Sequence, residues 1–455
     1  MNKKENKISK EIKINKKLAR RNYSNQTGIT LIALVVTIVV LLILAGVSLN
    51  AIFSENGIIK RAQDAQNKMN NAQESDLNAL NDLDKWINNQ VNGTTGGNTT
   101  GGNDNPSTTP KISTLVGKVV DKNTKAEDAY GNKITIPKGF KILEHNPTSN
   151  TGAVTYNYTN LEETGEHIPA VQDGIVIEDT QTGTAGNQFV WVPVGTIKNK
   201  NGSTNTITLG RYEFDSSTGA LKSTTPAQVA SVENCTKIVT ISKGGTDYQE
   251  LSTFREGNSA TNSTAQNATA RNLEEFISTT LANGGYYIAR FEASGTASKI
   301  ASKYNQTVLG NITQPNAAKV AREMYGEVKE NNELVYASDL VNSYAWDTAI
   351  VFIQTYSGKT DYASHNESIT TKAFTATGKN NDKYCNIWDM SGNAYEWTTE
   401  YSTSSHNSNF YPCVRRGGYY DTDSGVAINY TSARSYNNTT YSDSYTSLRS
   451  LLYVK

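Results

Sequence analysis

The first ninety residues show two successive hydrophobic patterns. Residues 29–49 are a predominantly apolar run, and no charged residue occurs between Arg21 and Glu55. As a helix this run would span about 32 Å, which matches the hydrocarbon core of a bilayer. Beyond it, apolar residues recur at steps of three and four from Ile58 to Val91, the spacing of one helical face. The patterns predict one long helix, residues 29–91, that crosses the membrane and continues as an amphipathic stem.

The stem leaves two alternatives open, because an apolar stripe can form a seam with a partner helix or pack on the protein's own globular region. Residues 92–110 follow, and they consist of Gly, Thr, Asn, Ser, Pro and a single Asp. Such a segment cannot bury an apolar core, so it predicts a flexible linker between the stem and residues 111–455.

The pattern changes again after residue 111. Short runs typical of β-strands occur at residues 134–137, 174–178, 188–194 and 286–291, and helical spacing occurs at 272–281, 317–325 and 338–355. Strands mixed with a few separate helices, without a βαβ rhythm, predict an α+β fold. Residues 196–275 are rich in Ser, Thr, Asn and Gly and are predicted to be an insertion of strands and long loops.

Charge then assigns an orientation to the membrane helix. The chain carries 43 basic and 43 acidic residues, but residues 1–28 hold nine Lys/Arg against two Glu, a net charge of +7, which leaves −7 for the rest. A basic leader keeps the N-terminus in the cytoplasm and places the following region outside. A cleaved secretory signal is the competing interpretation, although its apolar core would be shorter. The acidic remainder disfavours nucleic-acid binding.

The leader and the apolar run together resemble a type IV prepilin, on the motif Gly28 followed by ITLIA from Ile29 to Ala33. The resemblance implies that a prepilin peptidase cuts between Gly28 and Ile29, and that other pilin subunits contact the helix. Prepilins usually carry Glu at the fifth mature position, where it neutralises a neighbour's N-terminal amine, but Ala33 stands there. A minor pilin or pseudopilin, or a membrane-tethered protein, is therefore expected rather than a major filament subunit.

Motifs in the outer region resemble the formylglycine-generating (sulfatase-modifying factor) family. They include QFVWVPV at 188–194, GGYYIARFE at 284–292, NIWDMSGNAYEW at 386–397, RGG at 416–418 and ARS at 433–435. The resemblance implies a C-type-lectin-like domain over residues 111–455. We expect the motif residues to form a structural framework of glycines, buried aromatic rings and hydrogen-bonded polar groups. These residues are Trp388, Gly392, Asn393, Glu396, Trp397, Arg416, Gly417, Gly418, Arg434 and Arg449.

The chemistry of that family is not expected here. Its oxidase activity depends on a cysteine pair between the RGG and ARS motifs, and residues 419–432 contain no cysteine. The three cysteines, Cys235, Cys385 and Cys413, permit one disulfide or three thiols in the core. No nucleophile elbow or phosphate-binding loop is present, and the four histidines are isolated. We therefore predict no enzyme and no cofactor; calcium occurs in some relatives, but no metal ligands can be assigned.

The C-terminal tail carries the candidate recognition site. The chain has 25 Tyr against 10 Phe and 5 Trp, and Tyr mixed with small polar residues is typical of binding surfaces. The predicted contact residues are Tyr419, Tyr420, Asp421, Asp423, Asn429, Tyr430, Ser432, Tyr436, Asn437, Asn438, Tyr441, Asp443 and Tyr445. The tail also resembles the variable region of diversity-generating retroelements, in which mutagenesis at adenines converts Asn codons to Tyr, Asp, Ser or Thr codons.

Together these patterns predict a bacterial surface protein. A single helix would anchor it in the cytoplasmic membrane, and its outer domain would bind an extracellular protein or glycan, in association with a pilus in one version of the hypothesis. The alternative is a minor pilin or pseudopilin with a structural role, and a residual enzyme of the formylglycine-generating family is a third, weaker hypothesis.

Overall fold

The chain divides into two compact units, residues 1–107 and residues 108–455. The computed structural model describes Val35 and Val36, which are helical, and residues 109–157, 167–233, 235, 239–243, 245–250, 268–330, 333–365, 373–406, 409–420 and 430–455. The predicted processing site at Gly28 and Ile29 lies outside the described residues, as do nearly all of the predicted membrane helix, stem and linker. Within those that are described, no helix has both the length and the hydrophobicity to cross a bilayer.

The second unit is mostly β-structure. In chain order its strands are β1 (Thr124–Glu127), β2 (Lys133–Ile136), β3 (Phe140–Ile142), β4 (Val176–Asp179), β5 (Gln188–Pro193), β6 (Gly195–Lys198), β7 (Thr204–Ile207), β8 (Gly210–Arg211), β9 (Gln228–Val229), β10 (Ile241–Lys243), β11 (Thr246–Gln249), β12 (Gly285–Ala289), β13 (Ser294–Thr296), β14 (Lys299–Ala301), β15 (Glu327–Glu330), β16 (Glu333–Leu340), β17 (Lys383–Tyr384), β18 (Ile387–Trp388), β19 (Tyr395–Ser402), β20 (Ser405–His406), β21 (Asn409–Phe410), β22 (Cys413–Arg416), β23 (Arg434–Asn437), β24 (Thr446–Leu448) and β25 (Ser450–Val454).

Helices are few. The described part of the second unit has α1 (Ile112–Leu115), α2 (Leu273–Asn283), α3 (Gln314–Glu323) and α4 (Ser343–Tyr356), with short 3-10 turns at Val171–Asp173 and Tyr362–Ser364. The expectation of strands mixed with a few separate helices is therefore confirmed at this coarse level.

Two larger sheets organise the domain. The first has seven strands in the order β15-β16-β25-β12-β5-β4-β3, and every neighbouring pair is antiparallel. The second has the order β10-β11-β19-β22-β23, and β24 runs parallel to β19. The last strand of the chain, β25, lies inside the first sheet between β16 and β12, and all five of its residues are buried. The C-terminal segment thus belongs to both sheets.

The four predicted strands are confirmed, because β2, β4, β5 and β12 occupy them. Every residue of β5 and β12 is buried, as expected for an apolar run in the middle of a sheet. Their register sets Trp191 opposite Tyr287, and the two rings meet edge to face at 4.9 Å between centroids. Edge-to-face packing of this kind adds to the stabilisation that burial of the rings provides.

The predicted helices at 272–281 and 317–325 correspond to α2 and α3. The third prediction, 338–355, is wrong at its start, because Ser338 and Leu340 belong to β16 and α4 begins at Ser343. Asn342 has an extended backbone, and its side chain accepts a hydrogen bond from Ala345 N at 2.9 Å. This N-cap starts the helix, and hydrophobic spacing alone cannot distinguish the preceding buried strand from a first helical turn.

The segment predicted as an insertion, residues 196–275, supplies β6 to β11. It is joined to the second sheet, because Tyr248 of β11 pairs with Ser402 of β19. Arg211 and Glu250 from this segment are fully buried. The boundaries assigned to the insertion stay a prediction, but its strands help to build the region that carries the candidate site.

Candidate ligand-binding surface

Strands β19 and β22 hold Glu396, Trp397 and Arg416 of the predicted framework, and their pairing separates two faces. Glu396 lies opposite Arg416, and Trp397 lies opposite Arg415. Since side chains alternate along a strand, Glu396 and Arg416 are on one face and Trp397 and Arg415 on the other. We call the first the arginine face and the second the tyrosine face.

The arginine face carries a buried charge network. Glu400 accepts hydrogen bonds from Arg211 Nη2 at 2.7 Å and from Arg434 Nε at 3.1 Å, and its Oε2 lies 3.5 Å from Arg416 Nη1. Asp347 of α4 accepts from Arg416 Nη2 at 2.6 Å and from Arg434 Nη2 at 2.9 Å. Burial alone would raise the pKa of Glu400, but Arg434, Arg211 and Arg416 lower it to about 2. The carboxylate is therefore charged and paired, as a structural tie requires.

A fourth buried arginine, Arg449, joins the two larger sheets. Arg449, between β24 and β25, donates to Glu396 through Nη2 at 2.5 Å and through Nε at 2.8 Å. Its Nη1 also donates to Ala289 O of β12 at 2.8 Å, and its Nη2 to Trp388 O at 2.9 Å. Because Glu396 is in one sheet and Ala289 in the other, this side chain connects them. Trp388 itself is half-buried, and Trp397 is fully buried.

Asn393 and the glycines form the turns between these ties. Asn393 Nδ2 donates to Glu292 Oε2 at 2.5 Å, and its Oδ1 accepts from Thr375 N at 2.9 Å. Burial, reinforced by Asp389 and Glu396, raises the pKa of Glu292 well above its usual range. Gly392, Gly417 and Gly418 all have positive φ. At Gly417 a Cβ atom would lie 2.8 Å from Met390 O, so a side chain there would displace the backbone.

The tyrosine face carries an aromatic group that we call the tyrosine cluster, formed by Tyr419, Tyr420, Tyr441 and Tyr445. All four are half-buried. Tyr419 stacks on Tyr445 at 4.7 Å between ring centroids, contacts Tyr420 at 5.7 Å, and the hydroxyls of Tyr441 and Tyr445 are 2.9 Å apart. Two separate segments, residues 419–420 and 441–445, thus meet on one surface.

The cluster rests on two residues that the sequence did not single out. Tyr395 is buried and stacks on Tyr419 at 5.1 Å, and Arg415 lies 4.2 Å from the centre of the Tyr395 ring. Burial raises the pKa of Tyr395 to about 12, although Arg415 opposes the shift. The sequence signal for this base was the adjacent pair Arg415 and Arg416, because neighbouring residues of a strand point to opposite faces of the sheet. That signal requires the strand at 413–416, which hydrophobic pattern did not reveal.

The polar members of the predicted surface take supporting positions. Asp443 Oδ1 accepts from Tyr445 N at 3.1 Å, and its Oδ2 accepts from Arg415 Nη1 at 2.8 Å. Asn438 Oδ1 accepts from Thr440 N at 3.0 Å and closes the turn before Tyr441. Asn437 is the last residue of β23 and pairs with Cys413. These side chains shape the loop that presents the tyrosines.

The structure separates the other predicted contact residues from the cluster. Tyr430 and Ser432 are buried, at 8% and 4% exposure. The ammonium group of Lys243 contacts both the hydroxyl and the ring of Tyr430. Tyr436 is exposed, but it lies beside Val414 in the register of β23, on the opposite face from Arg415. Asp421, Asp423 and Asn429 lie outside the described residues.

No metal centre is evident in this part of the chain. The described residues contain no group of three or more His, Cys, Asp or Glu side chains arranged to hold a metal ion, so calcium stays a prediction without ligands. His145 and His167 stack at 4.2 Å, but their Nδ1 atoms are engaged with Tyr156 N and O.

The cysteines offer no reactive pair. None of the three forms a disulfide. Burial raises the pKa of both the Cys385 and the Cys413 thiols, and a thiol kept protonated is a poor nucleophile.

Three cavities among the described residues are lined by residues outside the tyrosine cluster. Cavities of about 320, 280 and 180 Å³ occur near Lys198, Glu144 and Lys383 respectively, and no residue of the cluster lines any of them.

Comparison with known proteins finds only distant structural likeness. No protein-family model matches the chain, and no curated protein matches it in sequence. The crystal structure of CarF matches with a TM-score of 0.27 and 13% identity, over 38% of this chain and 87% of that one. The M1 variant of the major tropism determinant matches with a TM-score of 0.25 and 12% identity, and the I1 variant with 0.24 and 13%. Each of these two matches covers 76% of this chain. They cover 98% of the M1 variant and 99% of the I1 variant. Scores this low do not establish a shared fold or function, and neither the prepilin nor the formylglycine-generating assignment gains support.

Proposed function

We propose that residues 108–455 form a ligand-binding module and that the tyrosine cluster is its contact surface. The observation that carries the proposal is the meeting of four half-buried tyrosines on a buried base of Tyr395 and Arg415. Tyrosine combines an apolar ring with a polar hydroxyl at low entropic cost. A fixed aromatic patch over a rigid scaffold is the arrangement from which binding hot spots are built.

The proposed module is a C-type-lectin-like domain of the formylglycine-generating type that binds without catalysing. What supports this is the use of its motif residues. Arg416, Arg434 and Arg449 are paired with buried carboxylates. Both the oxygen and the nitrogen of the Asn393 side-chain amide form hydrogen bonds. Side chains committed to such ties act as framework rather than as reactive groups.

The proposed setting is the bacterial cell surface. In this proposal a prepilin peptidase cuts after Gly28, residues 29–49 cross the cytoplasmic membrane once, and the linker displays the module outside. The basic leader and the length of the apolar run support it. The ligand would be an extracellular protein or glycan, and other pilin subunits would be partners of the helix.

The finer proposal is that a retroelement diversifies the C-terminal tail. It is supported by the separation between buried framework and half-buried tyrosines, because variation at the tyrosines would leave the buried ties unchanged. Sequencing of the gene's neighbourhood tests it. A reverse transcriptase gene and a near-identical repeat that differs at adenines are expected, and a complete locus without them would overturn this part of the proposal.

The binding proposal is tested with the full-length chain in lipid nanodiscs, screened against arrays of glycans and of extracellular proteins. For any ligand found, Tyr419→Ala and Tyr445→Ala should each weaken binding by about thirtyfold, the effect of a loss of ~2 kcal/mol at a hot spot. The matched control is Tyr304→Ala, because Tyr304 is also half-buried beneath a cation, Lys379, but lies outside the cluster.

Two results would contradict the proposal. Binding that is insensitive to both cluster variants would place the contact surface elsewhere. Turnover of a cysteine-containing sulfatase peptide by the wild-type chain would overturn the non-catalytic assignment.

A further inference from the structure

Arg415 is a cation that the proposed ligand could scarcely reach. Its side chain is 9% exposed, and it pairs with Asp443, whose side chain is 10% exposed. A guanidinium held in this way cannot serve as a surface contact. Its place beneath the tyrosine cluster therefore calls for another role.

The hydrogen bonds of Arg415 join three strands and one loop. Its Nη1 donates to Asp443 Oδ2 at 2.8 Å and to Thr446 Oγ1 at 2.7 Å, and its Nε donates to Ser435 Oγ at 3.3 Å. Ser435 is in β23, Thr446 begins β24, and Asp443 lies in the loop between them. One planar side chain on β22 thus contacts both strands that flank the loop carrying Tyr441, and one residue within that loop.

The same guanidinium contacts the rings themselves. It lies 4.2 Å from the ring centre of Tyr395 and 5.4 Å from the ring centres of both Tyr441 and Tyr445. Contacts between a desolvated cation and an aromatic face are attractive and depend on geometry. Tyr419 stacks between Tyr395 and Tyr445, so its position depends on theirs.

We infer that Arg415 is the positioning residue of the tyrosine cluster, which holds Tyr441 and Tyr445, and through them Tyr419, in the geometry that meets the ligand. The inference rests on the proposed function for its biological meaning. Its physical content is preorganisation: rings already ordered in the unbound protein need not be immobilised when the ligand arrives.

We expect Arg415 to contribute less to the stability of the fold than Arg416 does. Arg416 is paired with Asp347 in the buried network of the arginine face. The loop has a second, independent attachment, because Asn311 N donates to Asp443 O at 2.6 Å. Replacement of Arg415 should therefore loosen the rings while leaving the domain folded.

The test is chemical nitration of the full-length chain by tetranitromethane, read for each tyrosine by peptide mass spectrometry, and it needs no ligand. Arg415→Lys keeps the positive charge but loses the planar, multiply hydrogen-bonded group. We expect nitration of Tyr419 and Tyr445 to rise about fivefold, as for the loss of one cation–π contact. Tyr304 serves as the reference and should not change. Arg322→Lys, which alters a remote arginine paired with Asp339 at 2.8 Å, should leave all of these tyrosines unchanged.

Tyr286 is fully buried in β12, so it becomes accessible to nitration only if the domain itself is destabilised. Its reactivity therefore distinguishes a positioning role of Arg415 from a general role in stability. If Arg415→Lys makes Tyr286 reactive as well, Arg415 supports the whole domain and the inference is overturned. Unchanged nitration of Tyr419 and Tyr445 would also overturn it. Thr446→Val offers a milder second variant, since it removes only one acceptor of Arg415 and should raise nitration of the same two tyrosines by a smaller factor.

Binding measurements separate this inference from the proposed function. For a ligand found in the screen, Arg415→Lys should weaken affinity about fivefold, in parallel with the change in nitration. If the affinity does not change although the rings loosen, preorganisation does not matter for that ligand and the inference fails. If instead binding ignores Tyr419 and Tyr445 altogether, the proposed function fails, while the nitration result still reports on Arg415 by itself.

Discussion

Arg415 and Arg416 are neighbours in β22, yet they belong to chemically different regions. Arg416 enters a network of three arginines and two carboxylates, with every side chain buried. Arg415 meets one carboxylate and three half-buried or buried tyrosine rings, close to solvent. Because successive side chains of a strand point to opposite faces of the sheet, two adjacent arginines can serve two purposes. Arg416 belongs to the framework on one face, and Arg415 lies under the candidate recognition surface on the other.

The largest effect is expected on the arginine face. Glu400→Gln would remove the carboxylate that Arg211, Arg416 and Arg434 share, and loss of one partner from a buried ionic network costs about 3–5 kcal/mol of unfolding free energy. Urea denaturation of the full-length chain measures it. Glu213→Gln is the control, because Glu213 pairs with Lys222 at 3.5 Å at the exposed surface and its loss should cost less than about 1 kcal/mol. Equal losses in the two variants would mean that the buried network does not stabilise the fold.

A pH-dependent effect is expected from Glu250, which adjoins the same network. Glu250 accepts from Ser343 N at 2.8 Å and from Thr399 Oγ1 at 2.7 Å, and burial raises its pKa from 4.5 to about 7. Because the folded state favours the protonated acid, its stabilising contribution is complete below about pH 4.5 and is lost as the pH rises through 7.

Glu250→Gln should abolish that loss. The difference in unfolding free energy between variant and wild type should therefore grow in the variant's favour between pH 4.5 and pH 7, by on the order of 3 kcal/mol. Urea titrations at a series of pH values measure it. A difference that does not depend on pH would show that Glu250 is already charged in the folded protein.

A smaller effect is expected on the tyrosine face. Asp443→Asn removes the carboxylate that pairs with Arg415 at 2.8 Å, and we expect a loss of about 1.5 kcal/mol in unfolding free energy, the value of one hydrogen bond to a charged group. Thr446, Ser435 and the rings still surround the guanidinium, so the loss should stay well below that of Glu400→Gln. A loss of the same size would erase the distinction between the two faces.

The smallest effect is expected at Tyr436, which is 36% exposed and packs only loosely on Tyr411, at 6.2 Å between ring centroids. Tyr436→Ala should change the unfolding free energy by no more than about 0.5 kcal/mol. It should also leave ligand affinity unchanged, because the residue lies across β23 from the cluster. A clear loss of affinity would extend the binding surface around the edge of the sheet.

Part of this architecture is predictable from local pattern. The apolar runs at 188–194 and 286–291 predict buried strands because such runs have few other stable solutions in a sheet-rich protein. Asn272 and Gly284 bound α2 as its cap and its left-handed end. The pattern misleads at 338–340, where a buried strand and the following buried helix share one continuous apolar spacing.

The candidate site was only half predictable for a related reason. Composition indicates that the tail is rich in tyrosine, but it treats Tyr430, Tyr436 and Tyr441 alike. In the structure Tyr430 is buried, and Tyr436 is exposed on the arginine face. Tyr441 lies beside Tyr445 on the tyrosine face. Burial and facing depend on which strands become neighbours, and neighbours such as β19 and β24 are far apart in the chain.

The sequence alone fixes the side-chain chemistry available to residues 108–455: many tyrosines, no cysteine pair between the RGG and ARS motifs, and arginines and acidic residues within the motifs. It also indicates four buried strands and two of the helices, because hydrophobic period and capping residues act over a few residues. Only the tertiary structure decided that Arg415 and Arg416 have different partners and that four tyrosines from two segments share one surface. Those outcomes require strand register and long-range pairing, and no local pattern records which distant side chains will meet.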